Sequence, residues 1–128
     1  MHLARFRVAV AMLAVLGALP AVADGLLTTE AGVYTKAQAK AGEDLFEEHC
    51  QLCHDDKYFR PVLKRYDGQT AGVLFDVMAA SMPESNPGGL LDGEYVDIMA
   101  YIFSRSRYPV GDEPLTVAAL PSITIEDP

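Results

Sequence analysis

Cys50-Gln51-Leu52-Cys53-His54 is the stretch that decides the reading of this chain. Two thiols three positions apart lie on one side of a helical turn and can each add across a vinyl group of one macrocycle. The imidazole of the next residue then faces the iron. This is the spacing of covalent haem attachment. Three other chemistries use parts of it. A redox-active C-x-x-C expects a βαβ setting, and no strand pattern precedes Cys50. A structural zinc site takes four protein ligands, whereas beyond residue 23 the chain offers two cysteines and two histidines, His49 and His54. A disulfide loop with an incidental histidine would leave that histidine idle. One covalently bound haem, haem c, is the expectation that employs all three side chains.

Upstream, residues 35–49 are rich in Ala, Lys and Glu, with no proline and one glycine. Ala39, Gly42, Leu45, Phe46 and Cys50 recur at helical spacing, which predicts a helix with one apolar face delivering the motif at its end. Gly42 inside such a helix costs about 1 kcal/mol relative to alanine, a cost that close approach of another helix would offset. At the start of the chain, Arg5 and Arg7 precede a 12-residue apolar run from Val8 to Leu19, followed by Pro20-Ala21-Val22-Ala23. The run is short of the ~20 residues that span a bilayer. Ala21 and Ala23 form a small-x-small cleavage pattern, so residues 1–23 are predicted to be a cleaved signal peptide and 24–128 a single domain. Cleavage removes Arg5 and Arg7 and takes the net charge from −8 to −10. An acidic exported chain is expected, with no phosphate-binding face for nucleic acid and no stable membrane insertion.

Downstream, residues 55–69 read as irregular, punctuated by Arg60-Pro61 and Asp67-Gly68. Residues 70–81 predict a second helix that ends before Met82-Pro83, because the residue before proline avoids the α region. Pro83, Pro87, Gly88 and Gly89 make a stiff loop. Asp92 is the expected N-cap of a third helix that runs to about Ser104, with Glu94 in its first turn and Arg105 and Arg107 at its end. This helix is apolar nearly all round, from Tyr95 to Phe103. Pro109, Pro114, Pro121 and Pro128 break up the remainder of the chain, which predicts an extended strap across the surface. The expected class is all-α: three main helices around one haem, with a core over about 36–113 and an extended tail over 114–128.

With these residues in place, the chain resembles a monohaem class I cytochrome c over about residues 36–113. Gly42 and Phe46 stand eight and four residues before Cys50, where that family packs its first helix on its last. Tyr101 matches the aromatic that crosses there. Ser81-Met82-Pro83, Pro87-Gly88-Gly89-Leu90, the run Glu94–Ile102 and Tyr108-Pro109-Val110-Gly111 are similar to small periplasmic cytochromes associated with quinoprotein dehydrogenases. The resemblance implies Met82 as the second axial ligand opposite His54, with Met78 and Met99 as core and His49 on the surface. Among the remaining residues, the Pro61 carbonyl is a candidate acceptor for the His54 ring proton, and Tyr58, Arg60 and Tyr66 are candidate partners of the haem propionates. One departure is the spacing of 28 positions from His54 to Met82, shorter than the family leads one to expect.

The function expected on this basis is that of a periplasmic electron carrier rather than an enzyme. Its partners would be a dehydrogenase as donor and a cytochrome or oxidase as acceptor. A fixed cytochrome subunit of such a complex, docked through residues 109–128, is the alternative, and an open-site haem enzyme or sensor a second. Glu43, Asp44, Glu47, Glu48, Asp55 and Asp56 crowd the motif and predict a partner with a basic docking face.

Overall fold

The computed structural model describes residues 27–128; the predicted signal peptide lies outside them. Helix α1 (Lys36–His49) starts where Thr35 turns its hydroxyl back to accept the Gln38 N–H at 3.1 Å. Ala39, Gly42 and Phe46 are its buried residues. After α1 come a 3-10 turn (Asp56–Tyr58), the short helix α2 (Phe59–Leu63) and a second 3-10 turn (Lys64–Tyr66). Helix α3 (Ala71–Ser81) and helix α4 (Asp92–Arg105) complete the helical part. Two two-residue strands, β1 (Leu27–Thr28) and β2 (Ile123–Thr124), pair in parallel. The architecture is predominantly helical with this one small sheet.

The crossing of α1 on α4 is the largest contact between elements. It is close because residue 42 has no side chain: a Cβ there would overlap the Asp97 carbonyl and lie 3.0 Å from the Ile98 nitrogen. Phe46 meets Tyr101 one turn further on, with ring centroids 5.4 Å apart, and Phe59 packs edge-on to both at 5.1 and 6.1 Å. Eight residues of α4 are buried, from Tyr95 to Phe103, as its wide apolar face requires.

Three sequence expectations change. Leu91, not Asp92, is the N-cap of α4, and Asp92 is its first helical residue. The capping contact comes from Glu94, whose carboxylate accepts the Leu91 N–H at 2.7 Å. Residues 55–69, read as irregular, contain α2 between two 3-10 turns. Asp55 opens this segment by accepting the Lys57 N–H at 2.8 Å. Pro61 is tolerated because it stands in the first turn of α2, where its missing N–H has no intrahelical acceptor to serve.

The C-terminal tail is built into the core and is not a strap across the surface. Residues 117–122 form a 3-10 helix, and Leu115, Leu120, Ile123 and Ile125 are buried. Fully burying a Leu or Ile contributes about 1.5–3 kcal/mol, enough for a few such residues to hold the tail in place. The Gln38 amide locks it to the α1–α4 crossing. Its nitrogen donates to Asp97 and to the Leu115 carbonyl, and its oxygen accepts the Leu115 N–H. Tyr108 is buried beneath the tail and donates to the Glu126 carbonyl; burial pushes its phenol up to about 12. Val110 and Val117 are the large apolar residues that this segment leaves exposed.

Candidate functional site

The end of α1 winds directly into the Cys50–His54 turn. The N–H groups of Cys50 and Gln51 both donate to the Phe46 carbonyl, and those of Cys53 and His54 both donate to the Cys50 carbonyl at 3.1 and 3.0 Å. One tight turn therefore carries all three motif side chains. Both thiols are free, Cys50 half-buried and Cys53 exposed. Burial pushes the Cys50 thiol up. The His54 ring stacks on Tyr58, centroids 5.0 Å apart and 27° between planes.

These residues form one side of a cavity of about 640 Å³, within the ~300–1,000 Å³ typical of cofactor and ligand sites. Val77, Met78, Ser81, Met82 and Pro83 line it from the end of α3 and the loop beyond. Leu63 of α2, Leu74 of α3 and Ile98 and Ile102 of α4 supply apolar wall. The lining is mostly aliphatic and aromatic, with polar groups from His49, Ser81, Glu84, Ser85 and the tyrosines.

The structure brings most of the expected residues to this one cavity. Cys50, Cys53, His54, Met82, Tyr58 and Tyr66 all line it. Arg60 and Pro61 do not. Phe59 and Leu63 are the buried residues of α2, which turns Arg60 and Pro61 to the exposed side. The Arg60 guanidinium donates to the Pro128 carbonyl. Neither residue is among those that line the cavity. His49, expected on the surface, is half-buried on the cavity wall. Met78, expected as core, packs against the core and also lines the cavity, so two thioethers reach it. Met99 is fully buried.

One residue was missed. Tyr95, counted in the sequence only as part of the apolar face of α4, is 2% exposed, lines the cavity, and donates its hydroxyl to the Met82 carbonyl at 2.6 Å. The signal was its identity as Tyr rather than Phe in a buried turn, since a buried phenol seeks an acceptor.

The cavity fits a haem. It is large and apolar, its two free thiols stand on one turn beside an imidazole, and thioethers line it from another element. The competing chemistries fit less well. Cys50 stands at the C-terminal end of a helix, where the dipole disfavours a thiolate, and burial acts in the same direction, opposite to the environment of a reactive C-x-x-C. Among the described residues no group of three or more His, Cys, Asp or Glu is placed to hold a bare metal ion.

The acidic face is less uniform than the sequence implies. The Lys40 ammonium bonds Asp44 at 2.7 Å and Glu43 at 2.9 Å, and these contacts hold its pKa above the ordinary lysine value. Asp56 pairs with Arg105. Glu47 and Asp55 are exposed carboxylates beside the motif, as is Glu48, whose carboxylate lies 3.8 Å from His49 Nε2. No family model, curated protein or solved structure matches the chain.

Proposed function

We propose that the cavity holds one haem bound covalently through Cys50 and Cys53, and that the chain is an exported, periplasmic electron carrier with a class I cytochrome c fold. The observation that carries this reading is the convergence of Cys50, Cys53, His54 and Met82 on one apolar cavity. When bound, the haem supplies a one-electron ferric/ferrous couple. The chain's own residues do the rest. Cys50 and Cys53 tether the group by thioether bonds, so it cannot be lost after export. His54, its ring stacked on Tyr58, and Met82 would be the two protein ligands of the iron, a pairing that would suit electron transfer rather than substrate chemistry. Leu63, Leu74, Ile98 and Ile102 exclude water from the buried side of the group.

Covering the cavity also matters for stability. A chain of this size buries only about 60–70% of its extended surface, and a macrocycle in the cavity adds apolar contact to α3 and α4.

The reading is tested by redox titration together with addition of carbon monoxide. A single one-electron wave is expected, and a reduced spectrum that carbon monoxide leaves unchanged. Rapid carbon monoxide binding would mean an open iron and an enzyme or sensor instead.

The donor is a dehydrogenase, with a quinoprotein type favoured by the resemblance of stretches between residues 81 and 111, and the acceptor a cytochrome or oxidase. Glu47, Glu48 and Asp55 favour a partner with a basic docking face. Electron-transfer rates with the donor are expected to fall several-fold as ionic strength rises from ~10 to ~150 mM, because the Debye length shrinks from ~30 to ~8 Å. Stopped-flow kinetics across that range check this. A flat or rising profile would assign docking to the apolar residues at the cavity mouth, among them the fully exposed Leu52.

A further inference from the structure

We infer that Tyr95 is the positioning residue for Met82, fixing through its hydroxyl the loop that presents the thioether to the cavity. The inference rests on the haem reading above and goes beyond it by assigning a role to a residue outside the attachment motif and the axial pair.

A methionine side chain has three rotatable bonds, so its sulfur is directed only as well as its backbone is held. Met82 lies just past α3, in extended conformation. Its N–H donates to the Met78 carbonyl at 2.8 Å, which ties it to its own helix. Its carbonyl has left the helical ladder and accepts from Tyr95 on a different helix. Both backbone polar groups of Met82 are thereby held, one by α3 and one by α4. Pro83, the next residue, has no N–H to add.

The anchor is itself well fixed. Tyr95 stands in the first full turn of α4, just inside the Leu91–Glu94 cap. Its ring packs edge-on against Phe75 of α3, centroids 6.1 Å apart at 84°. The hydroxyl is therefore a rigid strut between the α4 terminus and the Met82 carbonyl. Without it, the loop from Pro83 to Leu91 keeps its own turn, in which the Asn86 N–H donates to the Pro83 carbonyl, but Met82 is tethered on one side only.

The molecule contains a matched control. Tyr34 is also buried, 1% exposed, and its hydroxyl donates to the Tyr108 carbonyl at 2.7 Å. It is the same kind of bond, but Tyr34 does not line the cavity. Tyr34→Phe and Tyr95→Phe each remove one buried hydroxyl and keep the ring, so a general loss of stability is common to both.

The experiment is a titration of the ferric holoprotein with imidazole, which competes with the thioether for iron. Apparent affinity scales with the fraction of molecules whose thioether is off the iron. Imidazole is expected to bind Tyr95→Phe at least ~10-fold more tightly than wild type, while Tyr34→Phe stays within about twofold. Equal affinities in Tyr95→Phe and wild type overturn the inference, as does an equal gain in both variants, which would mark general loosening. Met82→Ala separates this failure from failure of the haem reading. A large gain in Met82→Ala with none in Tyr95→Phe rejects only the role of Tyr95. No gain in Met82→Ala rejects Met82 as the ligand, and the inference with it.

Discussion

Gly42→Ala is expected to destabilise the protein by more than ~3 kcal/mol, although alanine is the better helix former by about 1 kcal/mol. The added methyl would overlap the Asp97 carbonyl of α4. Overpacking costs ~1–3 kcal/mol where neighbouring side chains can give way. Here the neighbour is helix backbone, so the whole of α4 must move. That movement would also disturb the Phe46–Tyr101 contact and the Gln38–Asp97 hydrogen bond. Out of a total stability of ~5–15 kcal/mol, such a loss is large. A domain of this size shifts its midpoint by about 4–8 °C per kcal/mol, so thermal unfolding monitored by circular dichroism should show a drop of more than ~12 °C. A raised midpoint, as at an uncrowded helical glycine, would contradict the crossing.

Met82→Ala has the largest expected effect on function. On the proposed ligation, removing the thioether would leave His54 as the only protein ligand on the iron. The spectrum should turn high-spin, or take on a second nitrogen ligand if a histidine such as His49 moves in. The reduction potential should fall by on the order of 0.1 V or more, since axial ligands move haem potentials over ~0.8 V. Met78→Leu is the comparison, because Met78 also lines the cavity. It stands within α3, with its carbonyl capping the helix end, and its replacement by another apolar residue should leave spectrum and potential in place. Absorption spectra and potentiometry on both variants assign the ligand. The opposite pattern would give the axial role to Met78.

The features of this chain that could be read in advance are those with a period or a fixed spacing. Cys50, Cys53 and His54 announce themselves by spacing, and α1, α3 and α4 by apolar residues recurring every three to four positions. Met82 marks the end of α3 through local chemistry, a proline at the next position, whereas the hydroxyl cap that Thr35 gives α1 emerged only with the structure. The hidden features depend on contacts distant in sequence. In α2, Pro61 masks the Phe59/Leu63 pair that defines its buried side, and with it the outward direction of Arg60. The tail looked detached because its prolines suppress any pattern. Its burial depends on β1, a two-residue strand nearly a hundred positions earlier, and on the Gln38 amide. At Leu91 the cap comes from the side chain of Glu94 three residues on, so the more polar Asp92 drew the assignment away. Tyr95 was visible as an apolar-face residue, but its hydroxyl has meaning only once the fold brings Met82 to it.

Covalent attachment of one haem is the claim on which the rest depends, and intact-mass spectrometry of the exported, purified chain tests it most directly. The sample should be unfolded and treated with a thiol-alkylating reagent before measurement. The expected result is a single species, cleaved after Ala23, heavier by the mass of one haem and carrying no alkyl groups, because both sulfurs are in thioether bonds. A chain at its bare polypeptide mass, with Cys50 and Cys53 both alkylated, would contradict the account.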